Sequence, residues 1–315
     1  MPIKKLSVLS LMFVASFPAF SADHDAWKIM SNTFMEIEKF EGHRDADGAK
    51  VTDKVNLAGQ LFISNSSSKW RYFIEHKESM RNYGYAISGS DNSFIRNRTQ
   101  LGITRNMYKN GNNIFDLNLT YRKESNDGVT DRNARPSNTL FWLMPSGTYW
   151  INEKLAFSFW DAFYHYDNFR ADNSYEWESE HGIVYKFNDS TTGRLMVYTD
   201  WTFDNDFNKN WEQNQIRGYM TKIIDPKWSI SPYFRYFLSE RSYDAANTNY
   251  VTQRADGGLR IGTEVNYKLN ERLTMWAGFA VEKTEWEKPK PNGITSGSDN
   301  DQTFYLGQLG VKYLW

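Results

Sequence analysis

From about Trp27 to the C-terminal Trp315, apolar and polar side chains alternate one for one in segment after segment. In 114–124, Phe115, Leu117, Leu119 and Tyr121 alternate with Asp116, Asn118, Thr120, Arg122 and Glu124. In 258–268, Leu259, Ile261, Thr263, Val265 and Tyr267 alternate with Arg260, Gly262, Glu264, Asn266 and Lys268. In 228–241 the apolar set Trp228, Ile230, Pro232, Phe234, Tyr236 and Leu238 alternates with Ser229, Ser231, Tyr233, Arg235, Phe237, Ser239 and Arg241. Wound as helices, these segments would scatter apolar and charged groups around the whole circumference. A strand collects every apolar residue on one face, so the pattern predicts β-structure throughout.

Fourteen such segments are expected, at 27–40, 54–64, 69–78, 94–105, 114–124, 138–151, 155–167, 175–187, 193–203, 212–224, 228–241, 254–269, 272–286 and 302–315. The sixth and seventh are the least clear, because both faces of 140–144 and 155–164 carry large apolar side chains. Short connections at 65–68, 106–113, 152–154, 188–192, 225–227 and 270–271 contrast with long ones at 41–53, 79–93, 125–137, 242–253 and 287–301. Tight turns at one end and longer loops at the other belong to an up-and-down barrel with an even strand count. A soluble sandwich also alternates, but with shorter strands and a polar outer face. The expected fold is therefore all-β: a transmembrane antiparallel up-and-down barrel of 14 strands, with short periplasmic turns and long extracellular loops.

Composition supports the membrane reading. The 315 residues hold 19 Tyr, 21 Phe and 12 Trp, yet the mean hydropathy is −0.68, so a bundle of membrane helices is excluded. Residues 1–21 read as a signal peptide: Lys4 and Lys5 precede the apolar stretch Leu6–Phe20, and the small residues Ala19 and Ser21 stand three and one before a cut ahead of Ala22. The barrel is then residues 22–315. Lys+Arg total 37 against 38 Asp+Glu, which speaks against nucleic acid as a partner. No cysteine is present, which removes disulfides and thiol chemistry. The expected surroundings are outer-membrane lipids and lipopolysaccharide in a Gram-negative bacterium. The last segment sets Leu309, Val311, Tyr313 and Trp315 on one face, a terminal aromatic of the kind that the barrel-assembly machinery reads.

If the apolar face meets lipid, the other must line the interior. The candidate pore-lining residues are Arg71, Glu75, Arg96, Arg98, Asp116, Arg122, Glu178, Glu180, Arg194, Tyr198, Asp200, Arg217, Tyr219, Tyr233, Arg235, Arg260, Glu264, Trp276 and Glu282. Arg241, Phe237, Glu36 and Glu38 fall on the same face by parity. Charges cannot be buried dry, so they are hydrated by a channel or paired in a network. Facing basic and acidic walls would set up a transverse field, whereas cross-strand pairing would tie up the same groups. Tyr198, Tyr219, Tyr233, Phe237 and Trp276 beside Arg and Glu could stack on sugar rings, or could simply fill the lumen.

Chemistry for catalysis is thin. The five histidines, His24, His43, His76, His165 and His181, form no recognisable triad or H-E-x-x-H pattern, and no cofactor or metal is expected. His181 falls on the outward parity, which makes it a poor lumen switch. The acidic loop runs 45–48 and 296–301 could bind calcium but read first as solvated loops.

The run Glu178-Ser179-Glu180-His181-Gly182-Ile183-Val184-Tyr185-Lys186-Phe187-Asn188 is similar to the middle of the monomeric OmpG-type porins. So are Leu195-Met196-Val197-Tyr198, Phe207-Asn208, Ser231-Pro232-Tyr233-Phe234-Arg235 and the opening Glu36-Ile37-Glu38-Lys39-Phe40-Glu41-Gly42. The resemblance runs thinly along the whole barrel. It implies a monomeric fourteen-stranded channel passing ions and mono- or oligosaccharides by diffusion, akin to the cyclodextrin and oligogalacturonate-type porins. A channel dedicated to one acidic or cyclic oligosaccharide, and a plugged barrel with a structural or surface-binding role, are the alternatives. The family prototype closes at acidic pH through two histidines on neighbouring late strands. Segments eleven to thirteen here contain no histidine, so that gate is not expected.

Overall fold

In the computed structural model the described residues are 27–42, 53–65, 67–81, 94–127, 137–168, 172–243, 250–254, 257–287 and 300–315. The expected signal peptide at 1–21, most of the long loops and the acidic runs 45–48 and 296–299 lie outside them. The strands are β1 (Trp27–Gly42), β2 (Lys54–Asn65), β3 (Trp70–Arg81), β4 (Phe94–Asn110), β5 (Asn113–Asp127), β6 (Asn138–Trp150) and β7 (Leu155–Asn168). They continue as β8 (Ser174–Asn188), β9 (Thr191–Phe203), β10 (Lys209–Ile223), β11 (Trp228–Tyr243), β12 in two pieces (Tyr250–Arg254 and Leu259–Lys268), β13 (Leu273–Glu287) and β14 (Asn300–Leu314).

Every strand pairs antiparallel with its sequence neighbour, and β1 pairs with β14 from Met30↔Leu314 to Gly42↔Gln302, which closes the barrel. Closure leaves no edge whose N–H and C=O groups would face hydrocarbon unpaired. Burial is inverted relative to a soluble protein. Leu119, Phe163, Val197, Ile261, Phe279 and Leu309 point outward and are each more than half exposed, while Glu124, Glu180, Gln215 and Glu282 are buried inside. Such an outer surface is stable only in lipid.

The short turns are built by side chains that take over backbone hydrogen bonds. Asn152 accepts from the N–H of Lys154 and Leu155, Asp225 from Lys227 and Trp228, and Asn270 from Arg272 and Leu273. Asn188 and Asn65 do the same for Ser190 and Ser67. An Asn or Asp at the first turn position thus satisfies donors that the ladder has just released. The connection expected at 106–113 is shorter than that. β4 continues through a bulge near Asn106 and Tyr108 to Asn110, and Gly111, at φ 57°, makes the tight turn that a side chain would strain.

A second bulge corrects the inward set. The pairing of β10 with β11 steps from Gln215↔Phe237 to Asn214↔Ser239, leaving Leu238 unpaired. Parity reverses beyond it. Glu240 therefore accepts from Gln213, whereas Arg241 is carried onto the outward face, where it pairs with Glu212 at 3.3 Å.

At Gly182 on β8 the neighbouring β9 backbone passes so close that a Cβ would collide with the Leu195 carbonyl and the Met196 Cα. Neither backbone atom can swing aside as a side chain could. Gly182→Val is expected to destabilise the barrel by about 1–3 kcal/mol through this overpacking. Urea unfolding of the refolded protein checks it; an unchanged midpoint would show that the two strands have room to separate.

Candidate functional site: the barrel interior

All nineteen candidate residues lie on the inward face set by the strand registers, and most meet a partner of opposite charge there. Arg71 bonds Asp116 across two strands, and Glu75 accepts from Gln60 at 2.6 Å. Glu124 sits among Arg98 at 2.8 Å, Arg122 at 3.6 Å and Arg96 at 3.7 Å. Glu180 takes Arg217 at 3.2 Å, Arg194 at 3.4 Å and the Tyr219 hydroxyl at 2.9 Å. Glu178 accepts from the hydroxyls of Tyr164 at 2.9 Å and Tyr198 at 2.6 Å, and Tyr198 also approaches Asp200 at 3.1 Å. Arg260 bonds Glu282 at 2.6 Å, Glu264 lies 3.8 Å from Lys312, and the Trp276 indole donates to Asn32 at 3.0 Å. Tyr233 lies over Gly262, where the missing side chain leaves room for the ring.

Cross-strand pairing therefore takes up most of the lining charge. Two hubs emerge, one around Glu124 on β4 and β5 and one around Glu180 on β8 to β10. Each holds several arginines that would otherwise repel one another. Parity alone pointed to the arginines and to Glu180 but gave no sign that Glu124 and Glu36 would be hubs. Glu36 collects Lys77 at 3.2 Å, Asn56 at 2.7 Å and Gln308 at 2.6 Å.

One inward region escaped the sequence pattern. Leu140, Trp142 and Ala162 are buried on the inner face of β6 and β7, with Met144, Trp160, Tyr164 and Tyr166 packed against them. Arg122 lies over the Trp142 ring at 4.7 Å and Arg217 over Tyr198 at 3.1 Å, so cations cap this aromatic sector on both sides. The signal that could have found it is register. β5 has an unambiguous polar face, and the partners Thr120↔Trp142 and Arg122↔Leu140 carry that face across the ladder to β6.

Between β10–β12 on one side and β14, β1 and β2 on the other lies an internal cavity of about 480 Å³, bordered by Tyr233, Arg235, Glu38, Lys54 and Phe304 among others. A closed barrel with a polar, charged interior and an apolar outer surface is the geometry of an aqueous membrane channel. A family model described as Outer membrane protein G (OmpG) matches residues 24–313, nearly the whole chain.

The chain belongs to the OmpG porin family.

Outer membrane porin G of Escherichia coli (strain K12) is 22% identical over 321 residues, covering 98% of this chain and 99% of that protein. Among solved structures, the CymD monoaromatic hydrocarbon channel superposes with a TM-score of 0.53 at 7% identity, covering 92% of this chain and 89% of that one. A Pseudomonas aeruginosa FadL homologue gives 0.52 at 8% identity, covering 91% and 89%. These two likenesses concern the barrel fold alone. Family membership makes this porin a channel for solutes in the outer membrane of a Gram-negative bacterium, and it implies a monomer.

Proposed function

We propose that this porin passes ions and small hydrophilic solutes, mono- and oligosaccharides foremost, by passive diffusion through a water-filled lumen lined by the nineteen residues above. The observation that carries the reading is the inverted barrel, in which glutamates and arginines face inward beside tyrosines while leucines and phenylalanines face out. Paired charges and aromatic faces side by side offer a sugar hydroxyls to bond and a ring to stack on. On this reading residues 1–21 are removed on export. The strand ending at Trp315 is the handle for the assembly machinery, and outer-membrane lipid and lipopolysaccharide surround the belt.

Single-channel recording in a planar bilayer tests it. Steady ion current with brief blocks by added maltose- or cyclodextrin-type sugars is expected, and folded protein without conductance would refute the channel. The described histidines, His76, His165 and His181, all lie on the outward face of their strands. Open probability is accordingly expected to stay flat between about pH 5 and 7, the interval in which ordinary histidines titrate. An abrupt closure in that interval would mean that a histidine reaches the conducting path after all.

A further inference from the structure

Arg217, Arg235 and Arg260 are direct register partners on β10, β11 and β12, so three guanidinium groups stand side by side at one height of the lumen. The row continues through Glu282 to Phe304 and Phe40. Its two outer arginines are neutralised, Arg217 by Glu180 at 3.2 Å and Arg260 by Glu282 at 2.6 Å. The central one is not. Among the described residues no carboxylate lies within ion-pair distance of Arg235, and its Nε is buried without a hydrogen-bond partner. Its one aromatic neighbour within cation–π reach among those residues is Tyr233, 5.6 Å from the guanidinium carbon.

Like charges placed directly opposite across strands destabilise a sheet, and a buried donor without an acceptor costs more than a donor left in water. Arg235 borders the cavity of about 480 Å³, which falls within the range of about 300–1,000 Å³ usual for small-molecule sites. Across that cavity stand Phe40 and Phe304, whose rings meet at 4.9 Å. Glu36 and Glu38 also border it, but each has its own lysine, Lys77 at 3.2 Å and Lys54 at 2.7 Å. The cavity thus combines one uncompensated planar cation, an apolar ring wall and hydrogen-bonding groups that are already satisfied.

We propose that Arg235 and this cavity form a lumen binding site for a monoanionic, carboxylate-bearing sugar, a hexuronate or the end of an acidic oligosaccharide. The proposal rests on the channel reading above and gives it a solute class. The guanidinium fork receives the carboxylate, supplying the third anion that the arginine row lacks, while the sugar ring lies toward Phe40, Phe304 and Tyr233. A carboxylate suits the site better than a phosphate dianion, because Glu36 and Glu38 repel a second negative charge from the far wall.

The test compares galacturonate, galactose and galactose 6-phosphate as blockers of single-channel current, in the wild type and in Arg235→Gln. In the wild type, galacturonate is expected to block about tenfold longer than galactose, the ratio that one charge-assisted bidentate contact gives, and longer than galactose 6-phosphate. In Arg235→Gln the galacturonate and galactose block times, each read against that variant's own open current, should converge. Should Arg235→Gln fail to refold, Arg235→Lys keeps the charge but not the fork, and should retain only part of the difference. Equal blocking by galacturonate and galactose in a conducting wild type would overturn the site and leave the channel reading intact. A preference undiminished in either variant would overturn it too, and stronger blocking by the phosphate would overturn the carboxylate assignment. Wild-type protein that does not conduct at all would instead bring down the channel reading on which the site depends.

Discussion

Glu180→Ala is expected to cost the barrel about 3 kcal/mol of unfolding free energy, a large effect for one lumen residue. The Glu180 side chain is 5% exposed and Arg217, its closest cation, is 9% exposed, so neither is well solvated in place of the other. Removing the carboxylate strands Arg217 beside Arg235 with no anion to separate them, and it also frees Arg194 and the Tyr219 hydroxyl. Breaking a buried pair from one side leaves an uncompensated charge, which is why the cost exceeds what the pair itself is worth. The comparison is Arg71→Ala. The Arg71 side chain is half exposed where it meets Asp116, and screening should hold its loss to about 1 kcal/mol or less. Urea unfolding in lipid vesicles would read both. Equal shifts for the two variants would mean that water reaches the Glu180 hub as freely as it reaches Arg71. Reversal potentials in a salt gradient give a second readout: loss of Glu180 should move the channel toward anions, since among the described residues Glu282 would then be the one carboxylate in ion-pair range of the three adjacent arginines.

The strand pattern was legible because lipid and lumen impose opposite demands on alternate residues, and nothing in β5 or in the second piece of β12 blurs that demand. All fourteen expected segments coincide with observed strands, with boundaries displaced by a few residues where ladders run past the apolar belt, as in β4 and β9. The pattern fails for definite physical reasons. In β6 and β7 the inner face is itself aromatic, so alternation vanishes although the strands remain. At Leu238 one inserted residue reverses parity, and no local composition announces it, so simple alternation puts Arg241 on the wrong face. Pairing was the least legible feature. Parity states that Arg217 and Glu180 face inward, but only the stagger between β8 and β10 brings Arg217 to Glu180 and leaves Arg235 with no carboxylate in ion-pair range among the described residues. The register between β4 and β5 likewise makes Glu124 a hub for three arginines drawn from two strands.

Asp161 departs from the apolar outer surface, and it yields the second large effect. Asp161 sits midway along β7 between Phe159 and Phe163, on the face turned to lipid. Its Oδ2 lies 3.0 Å from the His181 Nε2, and its Oδ1 accepts from the Trp177 indole at 3.2 Å. The edge of His181 packs against Phe159 at 6.1 Å. Hydrocarbon offers no water, so each polar group here depends on the others for every hydrogen bond it makes. His181→Leu leaves the carboxylate with Trp177 alone and is expected to destabilise by about 2–3 kcal/mol. Asp161→Leu leaves an imidazole, which can remain neutral, and an indole N–H without an acceptor, so its expected cost is nearer 1 kcal/mol. The double variant Asp161→Leu/His181→Leu exposes only apolar surface to lipid. It should return to within about 1 kcal/mol of wild type or exceed it, because replacing both members of a buried polar pair by apolar groups is often neutral or stabilising. Unfolding of the four proteins in vesicles forms the cycle, with an expected coupling of at least about 1.5 kcal/mol. Additive single effects would mean that water or a lipid headgroup reaches Asp161 and serves it as well as His181 does.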